Sequence, residues 1–342
     1  MADIICADGA TAPAWLRHWE DVRPTFRHDL LLGNGSSRML HDGFSYRSLH
    51  ARAVDADDPL MSPDAGALFS ALKTEDFERV LERVQIARDV SMAIGGNDLR
   101  RLESCYSDVR DALVRAVAAV HVERRGVPDA ALRNFADFMS KGFGMVFTTN
   151  YDLLTYWALM KQSDVFTDFF WPKDHRFVFD LAESATPTGR VPIFYLHGAL
   201  MLFETHDGLV QKLVNTDGSP FLLGAVLESI TAQVLPVFVS EGTAEEKRQQ
   251  IARHAYLEFC LQRLKKSGAP MTVFGHGLGT ADAHVVGAVA GSGRREVQIS
   301  LWPTSLDHLD AERTRIEGLL SRTDRTVEFF DQRTLDPWTG AF

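Results

Sequence analysis

Short apolar runs that end at glycine, serine or asparagine recur along this sequence, and a helical pattern follows each of them. The runs cover residues 29–32, 145–147, 193–196, 237–239, 271–274, 297–301 and 326–330. Continuous apolar strands with β-branched residues are what a parallel sheet needs when helices cover both of its faces. The pattern therefore predicts an α/β protein built on a parallel sheet.

Helical patterns fill the gaps between the runs. Thr243 and Glu246 have the spacing of a capping box. Apolar residues then recur at every fourth position from Ile251 to Phe259, and residues 304–322 carry a second helical pattern. Strands that alternate with such helices predict a Rossmann-like, open, mostly parallel and doubly wound sheet.

Residues 48–139 break this alternation, because they contain few strand signals and several amphipathic helical patterns. We interpret them as a helical insertion that acts as a lid or an interaction module. Residues 1–47 and 140–342 then form the sheet domain. The clearest amphipathic pattern in the insertion consists of Phe77, Val80, Leu81, Val84 and Val90.

Composition narrows the class of protein. The 342 residues carry 46 acidic and 36 basic side chains, and a net charge of −10 disfavours a protein that coats nucleic acid. Cys6, Cys105 and Cys260 form no CxxC pair, which excludes a four-thiolate zinc site within one chain and indicates reduced thiols. No signal-peptide pattern is present, and the apolar window 221–240 contains polar residues that fit a buried helix and strand better than a membrane span. We therefore expect a soluble, cytoplasmic protein without membrane contact or direct nucleic-acid binding.

Ligands of open α/β sheets bind beyond the carboxyl ends of the strands, so the turns that follow the apolar runs are the candidate sites. The first turn has glycine at Gly33 and Gly35, which suits a tight turn that brings backbone N–H groups to an anion. Arg38 stands where a dinucleotide fingerprint has its third glycine, and a plain strand-to-helix turn explains this motif equally well.

Two further turns carry polar side chains. Asn150 and Asp152 follow the second run, where they either cap the next helix or project into a cleft; both roles are compatible. His197 follows the third run and could act as a general base near neutral pH. His276 and His284, with Thr280 and Asp282 nearby, fit the capping and lining of the last nucleotide-binding turn better than metal ligation.

Taken in order, these turns resemble the sirtuin-like NAD-binding family. The matching segments are 33–37 (GNGSS), 148–152 (TTNYD), 196–198 (LHG), 239–242 (VSEG) and 274–278 (FGHGL). The amino-acid sequences of the second and third segments are similar to those of bacterial sirtuin-like proteins, many of which serve in antiphage defence.

The resemblance implies a role for each position. Gly33, Gly35 and Ser36 would hold the pyrophosphate of NAD, while Gly275 and Gly277 would support the adenosine half. Asn150 would orient the nicotinamide ribose or an attacking water, Asp152 would contact the nicotinamide amide, and His197 would be the general base. Further cofactor contacts are expected from Asn34, Ser37, Thr149, Ser240, Glu241 and His276.

Two departures shape the expected reaction. The sequence has no cysteine between residues 198 and 259, where protein-deacylating sirtuins carry a four-cysteine zinc module, so we expect no zinc or other metal. His276 and Gly277 also replace the usual threonine and serine. We therefore favour hydrolysis of NAD, as substrate, to ADP-ribose and nicotinamide over deacylation. ADP-ribosyl transfer to a macromolecule and a non-catalytic subunit that senses NAD or ADP-ribose are the alternatives.

Unchecked NAD hydrolysis would harm the cell that makes the enzyme. Family analogy therefore predicts a homo-oligomer or a partner such as an ATPase of a defence system. The helical insertion is the expected contact region.

Overall fold

The computed structural model describes residues 3–214, 222–232, 234–239 and 244–342, and within these ranges the chain forms twelve strands. The strands are β1 (Leu16–Arg17), β2 (His28–Leu32), β3 (Phe143–Thr148), β4 (Phe166–Thr167), β5 (Phe170–Lys173), β6 (Arg176–Phe179), β7 (Val191–Tyr195), β8 (Leu202–Glu204), β9 (Val210–Lys212), β10 (Met271–Phe274), β11 (Glu296–Leu301) and β12 (Thr326–Asp331).

Helices connect these strands and cover the sheet. They are α1 (Trp19–Val22), α2 (Asn34–Arg38), α3 (Tyr46–Ala53), α4 (Pro63–Leu72), α5 (Phe77–Ile94), α6 (Leu99–Val120), α7 (Asp129–Gly142), α8 (Leu154–Leu159), α9 (Leu222–Thr231), α10 (Ala244–Arg253), α11 (Ala255–Lys266), α12 (Ala283–Gly291) and α13 (Leu306–Leu319). None of the helices in the described ranges has the length and apolar character that crossing a bilayer requires.

The main sheet has eight strands in the order β1-β12-β11-β10-β2-β3-β7-β4, and every neighbouring pair is parallel. All five residues of β2 are buried, as the continuous apolar run predicts for a central strand covered on both faces. The predicted Rossmann-like α/β fold is therefore confirmed. From β2 the chain continues to one side as β3 and β7, whereas β10, β11 and β12 lie on the other side. The strand order thus reverses between β2 and β10, and a crevice opens at such a switch point.

The 110 residues between β2 and β3, positions 33–142, contain no strand and hold α2 to α7. We call residues 46–142, from α3 to α7, the helical segment. Asp76 begins α5 by accepting the N–H of Glu78 at 2.9 Å, and the predicted apolar face of α5 is buried from Phe77 to Val84. Val90 is 54% exposed, so this face reaches solvent near the end of the helix. The predicted insertion limits, 48 and 139, fall inside α3 and α7.

A second, antiparallel sheet has the order β5-β6-β9-β8 and was not expected from the sequence. Its strands are three or four residues long and mix polar with apolar positions, so they lack a clear apolar run. Strands β5 and β6 lie between β4 and β7 in the chain, and β8 and β9 lie between β7 and α9.

Two local predictions need correction. Residues 237–239 form no strand: Phe238 makes only an isolated bridge to Gly198, and the backbone N–H of Val239 is donated to the carbonyl of His197 at 2.9 Å. The helical pattern from Ile251 to Phe259 belongs to two helices, α10 and α11, which are separated at His254. Thr243 of the predicted capping box lies outside the described residues.

Candidate functional site

A cavity of about 1170 Å³ opens at the carboxyl ends of the central strands, at the switch point between β2 and β10. Nine of the residues predicted from the sequence line it. They are Asn34, Gly35, Thr149, Asn150, Asp152, His197, Gly275, His276 and Gly277. The helical segment contributes Tyr46, Asp76 and Glu78, which sequence reasoning did not single out. Ser240 and Glu241 lie outside the described residues.

The two glycine turns pack against each other backbone to backbone. A Cβ atom on Gly33 would lie 2.5 Å from the carbonyl oxygen of Gly275, and one on Gly275 would lie 2.4 Å from the backbone nitrogen of Ser36. Gly275 also has a φ of +69°. Glycine is therefore required for the close approach of the turns. The N–H of Gly35 is donated to the carbonyl of Gly275 at 2.8 Å, so it is not free to hold a phosphate.

Asn150 is fixed at the end of β3 by two buried hydroxyl groups. Its amide Nδ2 donates to Ser37 Oγ at 2.9 Å and to Ser36 Oγ at 3.2 Å. Both serines are buried beneath the cavity and do not line it, so they hold Asn150 rather than a ligand. The amide oxygen Oδ1 is buried and has no partner among the described residues. Because an unpaired buried acceptor costs free energy, Oδ1 is the polar atom of Asn150 that can accept a hydrogen bond from a ligand once the side chain turns towards the cavity.

Asp152 serves as a helix cap, as the simpler of the two sequence interpretations predicted. Its Oδ1 accepts the N–H of Leu154 at 2.8 Å, at the start of α8. The side chain is only 3% exposed, and burial raises its pKa above the usual range of a carboxyl group. Because Asp152 also lines the cavity, it combines capping with a position beside the ligand site.

His197 lies at the end of β7, 2% exposed, and its Nε2 is 2.8 Å from Nε2 of His284 on α12. Burial lowers the pKa of His197 well below its usual value and that of His284 to about 4, so both rings are neutral at neutral pH. His284 does not line the cavity but lies behind His197. The predicted cap by Asp282 is absent, since its side chain makes no capping hydrogen bond to α12.

A buried lysine joins three parts of the fold behind the site. Nζ of Lys247, on α10, lies 2.9 Å from Oε2 of Glu78 and 3.1 Å from Oδ1 of Asp282, and its side chain is fully buried. Burial opposes its charge, but the two carboxylates outweigh burial and raise the pKa of Lys247. Oδ2 of Asp282 is in turn 3.4 Å from Nε2 of His276, whose Nδ1 accepts the N–H of Leu278. We call Glu78, Lys247 and Asp282 the buried charge cluster.

His197, Asp282 and His284 stand close enough to offer three ligands to one metal ion. However, Oδ1 of Asp282 already faces the ammonium of Lys247, and the two imidazole nitrogens are hydrogen-bonded to each other. A dication would have to break both interactions and sit beside a buried positive charge. We therefore interpret these side chains as a hydrogen-bond network.

The segment 237–239, predicted as a strand, packs instead against the turns that follow β3 and β7. The hydroxyl of Tyr151 donates to the carbonyl of Val239 at 2.7 Å, and the ring of Phe238 stacks on Tyr151 at 3.8 Å between centroids. Together with the bond from Val239 to the His197 carbonyl, these contacts tie the turn after β3 to the turn after β7.

Residues 30–338 match the profile of a family described as a domain of unknown function, DUF4917. The chain belongs to this family. The matched range contains the helical segment and the turns that follow β2, β3, β7 and β10, so the DUF4917 region includes the whole candidate site. The search of curated proteins gives no match.

Proposed function

We propose that this DUF4917 protein cleaves the N-glycosidic bond between nicotinamide and ribose in NAD, releasing nicotinamide and ADP-ribose. The observation that carries the proposal is the meeting of Asn150 and His197 in one cavity. They come from different strands, and Asn150 is held by Ser36 and Ser37 with its amide oxygen left unpaired. This arrangement supports the roles that the sirtuin-like resemblance implies.

The size and position of the cavity support a dinucleotide. Its volume of about 1170 Å³ exceeds the range of about 300–1,000 Å³ that is usual for small-molecule sites. The cavity extends from Asn150 and His197 to the ends of β11 and β12, where Trp302 lies half exposed. Nicotinamide and its ribose would occupy the first end and adenine the second.

The chemistry requires charge stabilisation and placement of a water molecule. The C1′–N bond breaks with its electron pair moving to the nicotinamide nitrogen, which neutralises the pyridinium ring and leaves an oxocarbenium-like C1′. A water oxygen then bonds to C1′ and releases a proton. Asn150 lines the cavity, and its unpaired Oδ1 would accept a hydrogen bond from that water or from a ribose hydroxyl once the side chain turns towards the ligand. His197 and Asp152 both line the cavity and are the candidates for accepting the proton.

The test is chromatography of NAD incubated with the purified protein. Wild type should release nicotinamide and ADP-ribose, whereas Asn150→Ala and His197→Ala should lose at least about a hundredfold in rate while remaining folded. His206→Leu is the matched control, because the side chain of His206 is 90% exposed outside the cavity. Full activity in both site variants would refute the assignment. Label from NAD on a macromolecule would show transfer instead, and tight binding without product would show a sensor.

A further inference from the structure

The contact between His197 and His284 determines which ring nitrogen of each histidine carries the proton. The sirtuin-like resemblance does not give this information. Their Nε2 atoms are 2.8 Å apart, and the two rings are 2% and 9% exposed. A hydrogen bond between two neutral imidazoles needs one N–H and one lone pair, so only one of the two Nε2 atoms carries a proton. The arrangement of the four ring nitrogens decides which one.

The other ring nitrogen of His284, Nδ1, is shielded from solvent. Nδ1 of His284 is buried and has no hydrogen-bond partner among the described residues. A buried N–H without an acceptor costs more than a buried lone pair without a donor. The proton of His284 therefore resides on Nε2, from which it is donated to Nε2 of His197.

The second nitrogen of His197 faces the ligand site. Within the described chain Nδ1 has no hydrogen-bond partner, and it is not among the buried unpartnered atoms, so it is the ring nitrogen that reaches the cavity. Since Nε2 accepts a hydrogen bond from His284, the proton of neutral His197 resides on Nδ1. His197 thus presents an N–H to the cavity and has no lone pair there.

Asp282 could favour the opposite arrangement, with the proton of His197 on Nε2. Its Oδ1 lies 3.7 Å from that nitrogen, which is beyond hydrogen-bond distance, and the same oxygen faces Lys247 at 3.1 Å. Its Oδ2 is directed to His276. Among the described residues, Arg248 is a further charged group near His284, and it is held by Glu258. These neighbours leave the assignment from His284 in place.

We infer that His197 acts on NAD as a hydrogen-bond donor to a ribose oxygen, with His284 as the positioning residue that fixes this tautomer, and that Asp152 accepts the proton of the attacking water. This inference rests on the proposed function. It assigns Asp152 as the base because neutral His197 has no lone pair at the cavity, whereas Asp152 lines the cavity with a carboxylate that can still accept a proton beside its hydrogen bonds from Leu154 and Ser37. The O–H bond of water breaks, and its proton is transferred to a carboxylate oxygen of Asp152.

The first test uses substitutions that keep or remove one N–H. The amide nitrogen of asparagine occupies the position of a histidine Nδ1, so His197→Asn should retain NAD cleavage within about tenfold of wild type, whereas His197→Ala should not. His284→Gln retains a donor at the Nε2 position and should preserve kcat. His284→Leu should lower kcat by about tenfold or more with little change in KM. Equal loss in His197→Asn and His197→Ala would overturn the donor role.

The second test needs no turnover. Nitrogen-15 NMR of labelled histidine distinguishes the two neutral tautomers, and we expect His197 with its proton on Nδ1 and His284 with its proton on Nε2. The signals are assigned with His197→Asn and His284→Gln. A proton on Nε2 of His197 would refute the inference even if NAD is cleaved. Conversely, the expected tautomers without any NAD cleavage would leave the histidine pair intact and refute the proposed function.

Discussion

Replacing Lys247 by methionine should test the buried charge cluster most directly. Methionine retains much of the side-chain volume but removes the ammonium that faces Glu78 and Asp282 at 2.9 and 3.1 Å. The two carboxylate side chains are only 17% and 19% exposed, so both would be left buried without their cation. Removing one partner of a buried pair costs about 3–5 kcal/mol, and we expect a loss of that size in the free energy of unfolding at neutral pH.

The loss should depend on pH in a defined direction. Burial already raises the pKa of Glu78 in the folded protein, and removal of Lys247 raises it further. A carboxyl group whose pKa is higher in the folded than in the unfolded state binds protons preferentially when folded, so its contribution to stability improves as the pH falls. The deficit of Lys247→Met relative to wild type should therefore shrink between about pH 7 and pH 5.

Urea unfolding followed by tryptophan fluorescence gives the free energies, since the chain contains six tryptophans. Lys212→Met is the matched control: Lys212 pairs with Asp168 in an equally buried position, outside the candidate site. It should lose comparable stability, yet the folded fraction should cleave NAD at the wild-type rate. A deficit below about 1 kcal/mol for Lys247→Met, or one that is constant with pH, would refute the reasoning.

Two other expectations concern the reaction itself. Burial keeps His197 and His284 uncharged well below their usual pKa, so neither histidine should lower the rate of NAD cleavage between about pH 7 and pH 6. Burial raises the pKa of Asp152, the proposed base, so a fall in rate at lower pH should come from its protonation and should persist in His284→Gln; a fall that His284→Gln abolishes would show that a histidine titrates there. Trp302→Ala should weaken ADP-ribose binding by about five- to a hundredfold in calorimetry, since stacking of a base on an aromatic ring contributes about 1–3 kcal/mol. Trp171→Ala, in the small antiparallel sheet, is the control, and unchanged affinity in Trp302→Ala would exclude stacking on this ring.

The sequence predicts the main sheet well because burial on both faces leaves a simple signal. The runs before Gly33, Thr149 and His197 are continuous and apolar, and each forms a central strand. Residues 237–239 have the same apolar character but bond to the turn after β7, so composition alone cannot distinguish a strand from an apolar segment that packs against a turn. The four short strands of the second sheet lack any such run.

Local sequence likewise predicts some residues of the candidate site and misses others. Its glycines, Asn150 and His197 follow apolar strands, so their positions can be predicted from local sequence. The buried charge cluster cannot: Glu78 and Lys247 are 169 positions apart and belong to surface-like helical patterns, and only the packing of the helical segment on α10 brings them together. The pairing of His197 with His284 is likewise set by the approach of α12 to β7.

The position of the helical segment has a consequence for how the chain acquires its fold. Strand β2 is synthesised early, yet it pairs with β3, which follows 110 residues later (positions 33–142), and with β10, which begins only at Met271. Closing a flexible loop of 110 residues costs about 2 kcal/mol more entropy than closing one of ten. If the helical segment folds first, it shortens this loop and draws β2 to β3. The helices that contribute Glu78 and Tyr46 to the cavity would then also nucleate the centre of the sheet, and substitutions in their core should slow refolding.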